Sequence, residues 1–152
     1  MNLSSQDARA LLASARVARL ATVGEHAQPH LVPVTFALDG DFIYIAIDHK
    51  PKTTANLKRL RNIRRSPRVS LLADHYEEDW SQLRWVRADG LASILSGDDR
   101  RGPLDLLAGK YDQYTGQRPD GPVISIEVTR WTAWASSPPA PSLLRASGGK
   151  GQ

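Results

Sequence analysis

Apolar and polar residues alternate along most of the chain, and this pattern predicts a protein built mainly from short β-strands. Alternation with a period of two is typical of strands that bury one face. Turn-forming residues separate the alternating runs, and short connections of this kind favour a closed or nearly closed barrel over a sandwich. We predict a six-stranded barrel with short helices, whose strands are VARLATV, HLVPVTFAL, FIYIAI, RVSLLAD, LRWVRADGLASIL and VISIEVTRWTAWA.

Apolar residues at helical spacing interrupt this pattern in three places. The chain opens with a short helix that Ser4 or Ser5 can cap. A basic amphipathic helix, ANLKRLRNIRR, follows the third strand and ends at Ser66-Pro67. Its apolar face is formed by Leu57, Leu60 and Ile63. A third helix lies within GDDRRGPLDLLAGKYDQYT, where the predicted buried residues are Leu104, Leu106 and Leu107.

Turn signals and composition set the remaining boundaries. Asp39-Gly40 predicts a hairpin turn, and Asp89-Gly90 predicts either a turn or a β-bulge. In the last strand, the residues Val123, Ser125, Glu127 and Thr129 alternate with a more apolar set. This alternation predicts that one face of the strand is exposed to water. Residues 137–152 have the composition of a flexible tail. We therefore expect one folded domain over residues 1–136, followed by that tail.

Composition excludes several classes of protein. A chain of 152 residues suits one domain with its own core. It has no cysteine, which excludes disulfides, Cys-ligated zinc and thiol catalysis. The four histidines show no metal-ligand spacing and no pairing with a serine nucleophile, so we predict no metal site. No run approaches the ~20 apolar residues of a membrane span, and a cytoplasmic location is expected.

Eight of the twenty basic residues lie between Asp48 and Val69, where a strand gives way to the basic helix. Free backbone N–H groups at a helix start, together with ammonium and hydroxyl groups, can converge on one phosphate. The residues at this junction are Lys50, Lys52, Thr53 and Thr54. A capped helix with exposed lysines is the alternative interpretation.

The helix itself carries five more cations: Lys58, Arg59, Arg61, Arg64 and Arg65. Such a helix could follow the phosphates of a nucleic acid. However, the segment has no aromatic residue for base stacking, and no nucleic-acid-binding motif accompanies it. A solvated helix face is the other interpretation. We therefore expect no nucleic-acid partner.

Two tryptophans, Trp80 and Trp85, flank the acidic loop HYEEDW. They can belong to the core or to a dimer interface, or one of them can pack against a planar ligand. The carboxylates of the loop, Glu77, Glu78 and Asp79, are better explained as a solvated cluster than as an acid/base pair. The sequence therefore assigns no catalytic residue.

Several stretches follow one another in a distinctive order: ARLATVG, VPVTF, DGDFIYIAIDHKPKTT and RVSLLADHYEEDW. This succession resembles the pyridoxamine 5′-phosphate oxidase-like flavin-binding split barrels. It is most similar to their branch from actinobacteria that depends on the deazaflavin coenzyme F420. The similarity extends over about residues 5 to 135, and Ser66 stands where that branch often has asparagine.

The resemblance implies a six-stranded split barrel that forms a homodimer with cofactor sites at the interface. The junction residues Lys50, Lys52, Thr53 and Thr54 would hold the cofactor phosphate. The strand segment beside the tricyclic ring would be Val32, Pro33, Val34 and Thr35. Arg61 or Arg64 would meet the polyglutamate tail of F420. The ring and substrate pocket would be shaped by Trp80 and Trp85, and Arg87 would hold an anionic substrate or polarise the group being reduced.

The function that the resemblance implies is an F420-dependent oxidoreductase, which transfers hydride between the reduced deazaflavin and a small conjugated organic substrate. The cofactor carries that chemistry, so no protein nucleophile is needed. Two alternatives share the same cofactor residues. One is an FMN-dependent enzyme similar to pyridoxamine-phosphate oxidase, and the other is a protein that binds F420 or FMN without catalysis.

Overall fold

The computed structural model describes residues 1–47 and 54–145, except for the side chains of residues 54–57. Seven strands form one antiparallel sheet: β1 (Ala18–Val23), β2 (Pro29–Val34), β3 (Ala37–Asp39), β4 (Phe42–Ala46), β5 (Arg68–His75), β6 (Arg84–Leu95) and β7 (Val123–Ala135). The α-helices are α1 (Ser5–Ser14), α2 (Thr54–Arg65), α3 (Arg101–Lys110), α4 (Gln113–Gly116) and α5 (Pro141–Leu144). Three short 3-10 turns lie at Glu25–Ala27, Trp80–Gln82 and Gly97–Arg100. The prediction of a mainly β protein with short helices is confirmed.

The order of the strands shows that the sheet curls on itself. The hydrogen-bonded order is β2-β1-β5-β6-β7-β4-β3, so β2 and β3 lie at opposite edges. Val34 ends β2 and Ala37 begins β3. Three Cα steps span at most about 11 Å, and the two edges must therefore approach each other. The sheet forms a barrel that is split between β2 and β3.

The prediction of six strands was wrong by one, because HLVPVTFAL forms two strands instead of one. The chain leaves β2 at Thr35 and Phe36 and crosses to the other edge. The Phe36 N–H donates to the hydroxyl of Tyr111 at 3.2 Å, and the hydroxyl of Thr35 bonds that of Tyr114 at 2.9 Å. Tyr111 also donates to the carbonyl of Arg16. Tyrosine side chains that follow α3 thus take the place of a strand partner at this crossover.

The main core fills the barrel and extends beneath α1 and α2. Its fully buried residues include Leu12, Phe36 and Ile126, while Leu60 and Ile63 join it from α2 as predicted. Ser4, not Ser5, caps α1, since its side chain accepts from the Asp7 N–H. Burial of these faces explains the positions of both helices.

A smaller second core lies between α3 and the start of β7. Leu104 and Leu107 are buried there against Val123, but Leu106 is 40% exposed, so its predicted burial was wrong. Val123 of β7 belongs to this core. Residues 123–126 are all buried, so the predicted wet face begins only at Glu127. The helical spacing alone did not show which leucine would face the sheet.

The two ends of the described chain also pack on the barrel. The N-terminal ammonium donates to the Ala135 carbonyl at 2.7 Å. Helix α5 lies within the predicted tail, and its Leu143 and Leu144 pack against the main core. The described structure therefore continues beyond the predicted boundary at residue 136, as far as Arg145. Flexibility of the tail stays a prediction, and residues 146–152 lie outside the described residues.

Both predicted turns occur. Asp39-Gly40 lies at the β3–β4 hairpin, where Gly40 has a φ of 58°. Asp89-Gly90 is a β-bulge, since the register of β6 against β7 shifts there. A Cβ at Gly90 would lie 2.4 Å from the Glu127 carbonyl oxygen, so only glycine fits this close approach. The bulge changes the direction of β6 next to the side chains of Arg87 and Asp89.

Candidate functional site

The predicted phosphate site straddles the edge of the described structure. Lys50, Lys52 and Thr53 lie outside the described residues, and Thr54 is described only as the first residue of α2. The structure does describe the element before this segment, β4, and the element after it, α2. Ile47 follows β4 and bonds the Pro122 carbonyl at 3.0 Å, and α2 begins at Thr54. The phosphate assignment stays a prediction.

A cationic cavity lies directly beside the described part of α2, and we call it the α2 pocket. Its volume is about 620 Å³. Its charged lining residues are Glu25, Lys58, Arg61, Arg64 and Arg65. Glu25 is an ion-pair partner of Arg65 at 3.5 Å, whereas Arg61 and Arg64 have no carboxylate within 4 Å among the described residues. The pocket therefore has an excess of positive charge on an exposed helix face.

Buried polar groups hold the floor of the α2 pocket. The Asn62 amide donates to the Thr22 hydroxyl at 3.0 Å, which ties α2 to β1. Gly24 lies against this pair, because a Cβ there would be 3.7 Å from the Asn62 Nδ2. Since a buried amide is costly unless bonded, this contact fixes the position of α2 on the sheet.

His30 lies next to the same cations, opposite Thr22 in the register of β1 and β2. Its Nδ1 is buried and has no hydrogen-bond partner among the described residues. Burial, followed by the positive charges of Lys58 and Arg59, lowers the pKa of this imidazole. The neutral ring is thus favoured beside a cluster that attracts anions.

The strand predicted to lie beside the ring presents two different faces. Val34 is buried in the main core and Val32 packs partly against it, so contact of Val34 with a ligand would be through backbone atoms. Pro33 is exposed on the outer face, opposite Arg19 of β1. Thr35 is held by its hydrogen bond to Tyr114.

Leu31 was missed by the sequence reasoning. It is 66% exposed on the same outer face as Pro33, a position that strand alternation indicates.

A second cavity, which we call the strand-face pocket, lies on that outer face. Its volume is about 480 Å³, and Arg19, Leu31, Leu72, Asp74 and Arg87 are among its lining residues. The Arg87 Nε donates to Asp89 at 3.3 Å, and the Ser70 hydroxyl donates to the same carboxylate at 2.6 Å. The pocket combines an apolar surface with two arginines whose charges are each paired with an aspartate.

A third cavity, which we call the arginine pocket, lies next to the strand-face pocket. The two share Arg19 and Asp74 in their linings, and the new cavity has a volume of about 320 Å³. Trp85 forms part of it, together with Arg16 and Arg84. The Arg87 guanidinium lies 6.0 Å from the Trp85 ring, which is within the range of a cation–π contact. Trp85 and Arg87 thus lie close together on β6, and their roles toward a ring or substrate stay predictions.

Trp80 lies apart from these residues. It is 67% exposed on the 3-10 turn Trp80–Gln82, and its ring centroid is 6.3 Å from that of Tyr76. Asp79 caps this turn by accepting from the backbone and the hydroxyl of Ser81, which lowers the pKa of its carboxyl. The described residues contain no group of three metal-ligating side chains close enough to hold an ion.

Comparison with known proteins identifies the family. The model of the family described as "Pyridoxamine 5'-phosphate oxidase" matches residues 4–135. This chain belongs to the pyridoxamine 5′-phosphate oxidase family. The match includes all seven strands and every lining residue of the three cavities except Leu143 of α5. The family membership predicted from the succession of motifs is confirmed.

Solved structures share the fold at low identity. A conserved hypothetical protein from Mycobacterium tuberculosis has a TM-score of 0.72 at 22% identity, over 99% of this chain and 91% of that chain. A FAD-binding protein from Mesorhizobium loti has a TM-score of 0.66 at 20% identity, over 88% of this chain and 95% of that one. These similarities establish the split-barrel fold of the family.

A curated relative is similar over part of its length. This relative is the 5a,11a-dehydrotetracycline/5a,11a-dehydrooxytetracycline reductase of Streptomyces rimosus, which is 35% identical over 86 residues. The aligned region is 55% of this chain and 59% of the relative, so the chain spans about three fifths of that protein. Among the described residues, no helix is both long enough and apolar enough to cross a membrane.

Proposed function

We propose that the protein is an F420-dependent oxidoreductase that reduces a small conjugated organic compound. The observation that carries this proposal is the α2 pocket, with its excess cations on the helix that directly follows the predicted phosphate segment. A cofactor that ends at a phosphate needs few cations beyond that segment. F420 continues past its phosphate into several glutamates, and each carboxylate favours a nearby cation.

The residues present fit such a cofactor. Lys50, Lys52, Thr53 and the start of α2 would bind the phosphate, as the resemblance implies. Arg61 and Arg64, which have no acidic partner among the described residues, would bind the glutamate tail. Bound reduced F420 would supply hydride from C5 of its deazaflavin ring. A flavin is the competing cofactor, since the similar protein from Mesorhizobium loti is named as FAD-binding.

The protein side of the reaction is to bind, orient and exclude water. Leu31 and Leu72 provide an apolar surface beside Arg87 in the strand-face pocket, and Pro33 is exposed on the same face of the sheet. An apolar wall of this kind favours a planar ring and keeps water away from it. The similarity to a reductase of dehydrotetracyclines supports reduction of a conjugated substrate.

We also propose that two copies of the chain assemble through the outer face of the sheet. Leu31 of β2 is 66% exposed there, and Val23 of β1, Leu72 of β5 and Leu91 of β6 are also exposed. The register aligns Leu31 with Ala21 and Leu72 with Arg19, so the two leucines lie on one surface of the sheet. A second copy would cover this surface and close the strand-face pocket from outside.

The test has two stages. First, the affinities of the purified protein for F420 and FMN are compared by titration, and F420 is expected to bind more tightly. Second, the protein loaded with reduced F420 is mixed anaerobically with quinones, enones and a 5a,11a-dehydrotetracycline, and reappearance of oxidised deazaflavin is followed in a single turnover. If bound reduced F420 is oxidised faster than free reduced F420, the protein is a reductase. Tight binding without faster oxidation would indicate a carrier, and tighter binding of FMN would favour the flavin oxidase.

A further inference from the structure

The arginine pocket is lined by more arginines than carboxylates. Three arginines line it: Arg16, Arg19 and Arg84. Arg19 has a carboxylate partner, because its guanidinium lies 3.5 Å from Asp74. Arg16 and Arg84 have none within 4 Å among the described residues. Two uncompensated cations therefore border one cavity.

Both of these arginines are already oriented by backbone groups. The Arg16 guanidinium donates to the Lys110 carbonyl at 3.0 Å and stacks 4.7 Å from the Tyr111 ring centroid. Arg84 donates to the Gln82 carbonyl at 3.2 Å. Each guanidinium has five N–H donors, so most of them remain available to a ligand. The side chains are thus pre-organised, which reduces the entropy lost when an anion binds.

The rest of the cavity is apolar and partly aromatic. Leu11 and Val86 are buried residues of the lining, and Trp85 and Leu143 of α5 also belong to it. A cavity of about 320 Å³ is at the small end of the range for small-molecule sites. Its chemistry matches a planar apolar body that carries one or two negative charges.

Arg87 is a weaker candidate for binding that charge. Its guanidinium is paired with Asp89, and the same carboxylate accepts from Ser70. An incoming anion would have to compete with a carboxylate that is already held in place. Arg16 and Arg84 present no such competition among the described residues. The anionic end of a ligand is therefore better accommodated in the arginine pocket than at Arg87.

We infer that the arginine pocket binds the anionic end of the substrate, which is a planar conjugated compound bearing a carboxylate or an acidic enol. Arg84 and Arg16 bind the negative group, and Trp85 contacts the conjugated body. The body extends past Arg19 toward the strand-face pocket, which shares the Arg19 and Asp74 lining. The identification of this ligand as the substrate rests on the proposed function, whereas the binding site itself does not.

The experiment uses the full chain and two matched probes, 2-naphthoate and its uncharged analogue 2-naphthalenemethanol, in isothermal titration calorimetry. The naphthoate is expected to bind at least about tenfold more tightly, since a charge-assisted hydrogen bond contributes about 1.5–3 kcal/mol. Arg84→Gln should remove most of that preference and leave binding of the alcohol unchanged. Arg101→Gln is the control, because it removes the same charge from an exposed position on α3.

A second variant, Leu143→Asp, places a carboxylate in the wall of the pocket and should weaken naphthoate more than the alcohol. Equal affinities of the two probes, no binding of either, or equal effects of Arg84→Gln and Arg101→Gln would overturn the inference. Displacement of naphthoate by F420 would also overturn it, because the pocket would then belong to the cofactor. F420 binding measured on the same preparation separates the two proposals: naphthoate selectivity without F420 binding refutes only the proposed function.

Discussion

The ammonium nitrogen of Lys110 lies 3.8 Å from the ring centroid of Phe36, in the crossover between β2 and β3. It also lies 5.3 Å from the ring centroid of Tyr111, and it is buried without a hydrogen-bond partner among the described residues. The two ring faces favour the charged form. Burial and the neighbouring Arg16 oppose it and lower the pKa of Lys110 from 10.5 to about 8. A cation is thus held mainly by aromatic faces where the barrel is split.

The first prediction is that Lys110→Met changes how stability depends on pH. The pKa of Lys110 is about 8 in the folded chain and 10.5 in the unfolded chain, so the unfolded chain binds more protons between these values. Stability of the native protein should therefore rise with pH through this window. The variant has no ammonium group to bury. Its free energy of unfolding should therefore exceed that of the native protein most near pH 7, and this difference should shrink toward pH 9.5.

Urea unfolding of both proteins at several pH values measures the difference directly. The series should stop below pH 10, because burial raises the pKa of Tyr111 and its titration would add an opposite slope. A free-energy difference that stays constant from pH 7 to 9.5 would show that the ammonium is stabilised as well in the fold as in water.

The sequence predicts those parts of the fold that depend on local pattern, and misses those that depend on packing between distant elements. Alternation located the strands, and Asp89-Gly90 marked the bulge. The break at Thr35 and Phe36 was missed because it is held by Tyr111 and Tyr114, which are distant in sequence. The burial of Val123 on an expected wet face has the same cause, since it belongs to one core with Leu104 and Leu107 of α3.

The candidate site follows the same division. The resemblance named Trp85 and Arg87, which lie close together on β6, and their roles stay predictions. It did not indicate that Arg87 is paired with Asp89, nor that Arg16 and Arg84 border a cavity with Trp85. Arg16 lies in the loop between α1 and β1, and Arg84 begins β6, so only the tertiary fold brings them to one pocket. Their spacing of 68 residues in the sequence carries no local signal.

The second prediction concerns Gly121, which supports the segment before the predicted phosphate site. A Cβ there would lie 2.3 Å from the carbonyl oxygen of Ile47, a backbone atom that has no alternative rotamer. Gly121→Ala should therefore be destabilising by about 1–3 kcal/mol, which lowers Tm by about 2–12 °C. The matched control is Gly109→Ala, where a Cβ meets nothing within 4 Å and helix propensity should rise. Equal Tm values for the two variants would show that the β4 end relaxes freely.

The third prediction tests assembly through the outer face of the sheet. Leu31→Asp places a charge on a side chain that is 66% exposed in the single chain, so the fold itself should be retained. If two copies meet on this face, the buried carboxylate should shift the protein from dimer to monomer in sedimentation at micromolar concentration. Leu106→Asp, which is 40% exposed on α3, is the control and should leave assembly unchanged. A native protein that sediments as a monomer would contradict the proposal.

The last prediction decides between F420 and FMN through Arg61 and Arg64. Both line the α2 pocket, and neither has a carboxylate within 4 Å among the described residues. If they bind the glutamate tail, the double variant Arg61→Gln/Arg64→Gln should lower affinity for F420 by about 2- to 30-fold, since exposed ion pairs contribute about 0.2–1 kcal/mol each. FMN has no tail, so its affinity should change little.

The control for that pair is Arg101→Gln/Arg118→Gln, which removes the same net charge from exposed positions whose partners are Asp98 and Asp105. Its effect on both cofactors should be small, because a distant charge acts only through the screened field of the whole protein. The preference for F420 should also shrink as salt rises above about 0.15 M, where the Debye length is about 8 Å. If instead the Arg61/Arg64 variant weakens both cofactors equally, the cations do not distinguish the tail. Tighter binding of FMN by the native protein would then identify a flavin-dependent enzyme, because the phosphate segment alone is sufficient for that cofactor.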